Sequence, residues 1–205
     1  CAGEHRDADV DALAAHAREV LPGVDLLVNS PGVVVNRLLA DAEPADWDLV
    51  MGVNFDGVVR CCRAFLPQLR ATGGHIVNNA SIAALVVQDV PGLGLYTASK
   101  YALLAYSRTL ANEEGHHGVR VSLVTAGRVA TALAANSERY AGARWVPRGP
   151  QPASGEAMSA EQAGELIVRG LTPYRFLIFT HPERRDQVAA AHRELLAEID
   201  GQVAL

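Results

Sequence analysis

The sequence predicts an α/β protein with a parallel sheet layered between helices. Three observations lead there. Four short apolar runs, VDLLVN (24–29), HIVNNA (75–80), VRVSLVT (119–125) and RFLIFT (175–180), suit strands. Longer stretches between them carry apolar residues at helical spacing. Strands alternating with helices need crossover connections, which give a parallel sheet covered on both faces, a three-layer arrangement. At 205 residues the chain has room for one domain with a sizeable core, taken here as residues 1–205.

The elements follow in order. ADVDALAAHAREV (8–20) reads as a helix stopped by Pro22-Gly23. VDLLVN is an unbroken apolar run, expected to be buried on both faces. A long helical stretch starts at Asp41, with an acidic cluster and Pro44 near its first turn. Gly73-Gly74 ends it, and the second strand follows. A loop from Ala83 to Leu95 leads to a helix from about Tyr96 to Glu114. After the third strand, the Pro-, Gly- and Ala-rich segment 139–159 reads as a mobile loop rather than a domain linker. A helix over 160–170, the fourth strand and a polar-faced helix from about Glu183 to Ile199 complete the pattern.

The first strand raises a difficulty. It has no evident neighbour on one side, and an apolar edge strand exposes unpaired backbone. The chain also begins with Cys1 rather than Met. We therefore expect an N-terminal βαβαβ part, missing from this sequence, to cover that edge.

Bulk properties narrow the function. The net charge of −5 comes without a block of like charges, arguing against nucleic-acid or polybasic membrane partners. No apolar run reaches the roughly 18 residues needed to span a bilayer. Three cysteines, two of them adjacent, make neither a disulfide framework nor a metal-ligand spacing. A reducing cytoplasm and no metal are expected. His116 and His117 fit a helix end, where imidazolium meets the dipole.

YTASK (96–100) puts Tyr96 and Lys100 four apart, on one face of a helix. That spacing alone is common by chance. Ser81, however, ends a predicted strand, where open α/β sheets place their ligands, and loop 82–95 can bring its hydroxyl to Tyr96. Asn54 lies inside a helix, an unfavourable place unless its side chain has a task; otherwise it is solvent-facing or locally bonded.

With these residues the sequence resembles the classical short-chain dehydrogenase/reductase family, from about Val10 to the C-terminus. VDLLVNSPG stands where the family has a strand and Asn-Asn-Ala-Gly. Asn54-Phe-Asp-Gly57 matches its helix Asn-x-x-Gly, Ser81 its active-site serine, YTASK its Tyr-x-x-x-Lys, and TAGRVAT its Pro-Gly-x-x-x-Thr turn. The resemblance implies a Rossmann-type, doubly wound fold and alcohol–carbonyl oxidoreduction with NAD or NADP. It implies catalytic Ser81, Tyr96, Lys100 and Asn54, the last holding a water that relays protons from Lys100. Implied cofactor contacts are Asn29, Gly32, Tyr96, Lys100, Gly127, Val129 and Thr131. A homodimer or homotetramer packed through the helices at 44–70 and 96–114 is implied too.

Departures qualify this. The family's Gly-rich pyrophosphate turn would precede Cys1. Pro31 alters the Asn-Asn-Ala-Gly loop, and Ala126 replaces the proline before Gly127. Ser81 and Tyr96 stand fifteen apart, two more than is usual in the family. Trp145 and Tyr140 are candidates for a substrate lid or for ordinary packing, and the loop composition suits a hydrophobic alcohol or ketone. Two rivals remain: a truncated, non-catalytic relative serving as a scaffold or partner subunit, and an epimerase or dehydratase of the extended type. The retained polar quartet disfavours the first, and the short stretch after Lys100 disfavours the second.

Overall fold

A computed structural model describes residues 7–145 and 157–203. Helix α1 (Asp7–Val20) has Asp7 and Asp9 in its first turn and Arg18 in its last, each favourable to the helix dipole. It leads to strand β1 (Leu26–Asn29). Helix α2 (Pro44–Met51) starts with Pro44 in its first turn and a capping box in which Glu43 and Asp46 each bond the other's backbone. The buried Asp46 carboxylate also takes an ion pair from Arg37 at 3.0 Å and a looser one from Arg144 at 3.7 Å.

The long helical stretch does not run as one α-helix. A π turn over Gly52–Asp56, with the Gly57 N–H bonded to the Gly52 carbonyl, separates α2 from α3 (Gly57–Thr72). Gly73 closes α3 in the left-handed region at φ 63°, the conformation glycine adopts without a Cβ penalty. Strand β2 (His75–Asn79), helix α4 (Gly94–Glu114) and strand β3 (Arg120–Thr125) come next. Helix α5 (Leu133–Ala141), helix α6 (Ala160–Leu171) with its Ser159/Gln162 capping box, strand β4 (Leu177–Phe179) and helix α7 (Arg185–Val203) complete the fold.

The strands form one parallel sheet in the order β1-β2-β3-β4. Leu26–Asn29 pair with His75–Asn78, and His75–Asn79 with Arg120–Val124. Alternate side chains point to opposite faces. Ile76, Val121 and Leu123 join Ala14 of α1, Val58, Cys62, Phe65 and Leu69 of α3, and Leu103 and Leu110 of α4. On the other face Val77, Val124 and Ile178 meet Ile167 and Leu171 of α6. The doubly wound, three-layer reading is therefore observed.

Burial on both faces is not observed for β1. Leu26 and Val28 are 48% and 56% exposed, and no strand pairs with its outer edge among the described residues. The reason is positional: among the described residues the α6 cluster on that face takes Val77, Val124 and Ile178 but no residue of β1. From His192 to Gln202 α7 is exposed, including Leu195, Leu196 and Ile199. No described helix is long and apolar enough to cross a membrane.

Candidate active site

The C-terminal ends of β1, β2, β3 and β4 converge with the start of α4. Ser81 lies two residues past β2, in extended backbone, 9% exposed. The Ala80 N–H bonds the Val124 carbonyl and the Ile82 N–H bonds the Ala126 carbonyl, so this segment rides along the end of β3. The Ser81 hydroxyl accepts the Ala83 N–H at 3.2 Å, capping the short 3-10 turn Ile82–Ala84. Helix α4 packs on that turn, which brings the Tyr96 end of the helix to the Ser81 loop.

Lys100 is 2% exposed. Its Nζ donates to the Asn79 carbonyl at 3.1 Å and lies 5.5 Å from the centre of the Tyr96 ring. The amine thus sits between the last residue of β2 and the tyrosine. Burial disfavours its charged form and pushes its pKa down to about 8. An ammonium has three N–H groups, and among the described residues one goes to Asn79.

Asn54 is fully buried on the π turn. Its Oδ1 accepts the Val33 N–H at 2.8 Å, and its Nδ2 donates to the Val33 carbonyl at 2.9 Å and the Ser99 hydroxyl at 3.0 Å. Ser99 in turn donates to the Tyr96 carbonyl at 2.7 Å. The Asn54 amide therefore clamps the loop after β1 to the first turn of α4, and its side chain is directed to Val33 and Ser99. Ser99 was absent from the expected set, although its place three residues after Tyr96 is the signal that marks it.

Asn29 turns inward. Its Nδ2 donates to Asn78 Oδ1 at 2.9 Å and faces Cys62 Sγ at 3.4 Å, and Asn78 donates to Ser107 at 2.9 Å. The contact available to a ligand at this position is the backbone. Burial pushes the Cys62 thiol up to about 12, which makes it a packing group rather than a nucleophile. Gly32 lies against α5, where an added Cβ would meet Leu133 at 3.3 Å. The Val34 N–H bonds Ser137 Oγ at 2.9 Å, fastening α5 to the same loop.

The Gly127–Thr131 turn follows β3. Val129 bridges Met158, and the exposed Thr131 hydroxyl accepts the Leu133 N–H at 3.4 Å. His181, which sequence reasoning missed, packs on Gly127. Its position directly after β4, at the sheet end where loops gather, was the available clue. Trp145 packs against a cluster of Val35, Val50, Leu95 and Ala141, the ordinary-packing alternative. Tyr140 stacks beside Arg139. Residues 146–156 of the expected substrate loop lie outside the described residues. The described residues contain no group of three or more His, Cys, Asp or Glu arranged for a metal.

A doubly wound parallel sheet with a polar cluster at its C-terminal edge is the Rossmann-type α/β class. Residues 4–141 match the family described as short chain dehydrogenase, and the chain belongs to that family. It is 38% identical over 137 residues to the short-chain reductase protein NovJ of Streptomyces niveus, covering 66% of this chain and 51% of that protein. It is 36% identical over 131 residues to 2-(R)-hydroxypropyl-CoM dehydrogenase of Xanthobacter autotrophicus, covering 62% and 52%. A short-chain dehydrogenase/reductase from Burkholderia phymatum, solved in complex with NAD, superposes with a TM-score of 0.83 at 29% identity, covering 95% of this chain and 74% of that one. One from Burkholderia cenocepacia in complex with NADP gives 0.73 at 25%, covering 95% and 74%. The chain spans about half the length of the curated relatives it matches.

Proposed function

We propose that this protein interconverts a secondary alcohol and a ketone or aldehyde, using NAD or NADP. The observation that carries this reading is the buried Lys100 amine held between the Asn79 carbonyl and the Tyr96 ring. The residues fit a dinucleotide: the amine has N–H groups beyond the one used on Asn79, and it lies at the sheet end where such folds bind cofactors. Gly32 and Gly127 are less telling, because the chain's own Leu133 and His181 occupy the space a Cβ would take. Backbone at Asn29 and Gly32, the Tyr96 and Lys100 side chains, and the turn carrying Gly127, Val129 and Thr131 would hold the cofactor. When bound, the nicotinamide would deliver or accept the hydride.

The chain's own residues would manage the proton. A tyrosine has an ordinary pKa near 10, too high for an efficient base at neutral pH. A cation beside the ring favours the ionised hydroxyl and draws it toward its working range. Tyr96 donates its proton to the developing alkoxide in reduction and takes it back in oxidation. Ser81 orients the substrate oxygen by hydrogen bonding. Asn54 holds the Val33 loop and α4 in register around that oxygen, and a water relay from Lys100 belongs to the same proposal. We assign the protein to the cytoplasm and to a homodimer or homotetramer formed through α2–α3 and α4. A hydrophobic alcohol or ketone is the substrate class.

Tyr96→Phe tests the reading. The variant should lose turnover by about 100-fold or more, the usual contribution of a positioned acid or base. Its affinity for NADH or NADPH, followed by fluorescence titration, should stay within a few-fold of wild type. Near-full turnover in the variant would refute the role of the hydroxyl. A wild-type protein that binds neither nucleotide would favour the scaffold alternative.

A further inference from the structure

The turn Gly127–Thr131 begins with little intrinsic rigidity. Ala126 leaves φ unrestrained where a proline would fix it, and Gly127 is the most permissive residue a chain can carry. The turn is nonetheless held from three directions. The Ala126 carbonyl accepts the Ile82 N–H at 2.8 Å, which ties it to the Ser81 loop. The Arg128 carbonyl accepts the Met158 N–H at 3.0 Å. The third hold is the imidazole of His181, a side chain 6% exposed.

That ring spans the Gly127–Arg128 peptide. The Gly127 N–H donates to His181 Nδ1 at 3.0 Å, so Nδ1 carries no proton. The proton is then on Nε2, which donates to the Arg128 carbonyl at 3.2 Å. The Thr180 hydroxyl, 2.8 Å from Nδ1, donates to the same lone-pair side. One neutral tautomer satisfies all three contacts at once. The fit is also steric: a Cβ on Gly127 would stand 2.6 Å from Cδ2 and 2.7 Å from Cγ of the ring. Glycine at 127 and histidine at 181 are therefore matched to one another.

We infer that His181 is a positioning residue, setting the backbone of the Gly127–Thr131 turn, whose Val129 and Thr131 fall where the family resemblance puts the carboxamide of the nicotinamide end. The inference rests on the function proposed above. It separates the two ends of the dinucleotide, because His181 braces the turn after β3 and makes none of the contacts that hold the loop after β1.

The test compares NADH with ADP-ribose, which lacks the nicotinamide ring, on the wild-type protein, His181→Phe and His181→Asn. Phenylalanine fills the space without either hydrogen bond; asparagine keeps an acceptor for the Gly127 N–H. Losing the ring's two backbone bonds should raise the Kd for NADH by about tenfold, equivalent to about 1.4 kcal/mol, with ADP-ribose within about twofold. The asparagine variant should recover most of the NADH affinity. Unchanged NADH binding in the phenylalanine variant overturns the inference, and so does an equal loss of both ligands, which marks a merely structural side chain. If the phenylalanine variant does not fold, His181→Ala takes its place under the same two criteria. Wild-type protein that binds ADP-ribose but not NADH overturns the inference, and binding of neither overturns the cofactor reading beneath it.

Discussion

Lys100 offers a measurement of the site that needs no substrate. Its folded pKa lies near 8, against an ordinary 10.5, because the amine is buried. Between those values the folded state binds fewer protons than the unfolded chain, so stability rises with pH through that window. Integrating the two titrations gives about 2–3 kcal/mol of stability gained between pH 7 and pH 10. Lys100→Met abolishes this titration. At pH 7 the substitution removes a desolvation cost of about 3 kcal/mol and forfeits a charged hydrogen bond to the Asn79 carbonyl, itself about 1.5–3 kcal/mol. The variant should therefore be as stable as wild type at pH 7, or modestly more stable. The decisive quantity is the difference between the proteins at the two pH values. Carrying Tyr96→Phe in both backgrounds removes the neighbouring hydroxyl, and other alkaline groups, including the Cys62 thiol near 12, titrate in both proteins and cancel. Urea unfolding at pH 7 and pH 10 should show the protein with Lys100 gaining about 2–3 kcal/mol on the one without it. Parallel pH curves, within about 0.5 kcal/mol, would refute the account of a desolvated amine.

Two further outcomes are expected. Asn54→Ala should destabilise the protein by about 3 kcal/mol, since it strands the buried Val33 N–H and carbonyl and removes the bond to Ser99; a cost below about 0.5 kcal/mol in urea unfolding would contradict the clamp. His75, buried and bonded through Nε2 to the Ser122 hydroxyl at 2.8 Å, has its pKa pushed down to about 4 by burial, with Arg120 adding to the effect. The folded state then binds fewer protons than the unfolded chain between pH 6.5 and 4, so stability falls as pH drops through that window. Thermal unfolding of His75→Phe should show a flatter decline than wild type, and an unchanged slope would count against a buried neutral imidazole.

Much of this was legible in the chain. Apolar runs located all four strands; β2 and β3 are covered on both faces and so read as unbroken hydrophobic segments, whereas β1 carries the same kind of run with one face exposed. Their ends shifted by one or two residues, as with Leu26–Asn29 within 24–29. Asn54 stood out for a physical reason that held: a buried amide in a helix needs partners, and it has three. What escaped notice was the π turn that aims it inward, since an extra residue in a helical turn leaves no mark in composition or spacing. Asn29 was expected among the cofactor contacts, but its amide is used inside the core, a choice fixed by Asn78 forty-nine residues away. Partners so distant have no local signature. His181 was missed for the same reason, and the exposed face of β1 depends on which helices reach it.

The sequence separations within the site set an order on its formation. Tyr96 and Lys100 are four residues apart, and the bond from Lys100 to Asn79 spans only twenty-one. These contacts close small loops and cost little chain entropy. The bond that fastens α5 to the loop after β1 spans 103 residues, and the one from Gly127 to His181 spans 54. The second closes only after β4 has docked beside β3. A nascent chain can thus hold Tyr96 and Lys100 in place well before the turn after β3 is braced. A chain stalled before residue 181 would carry that pair without the brace.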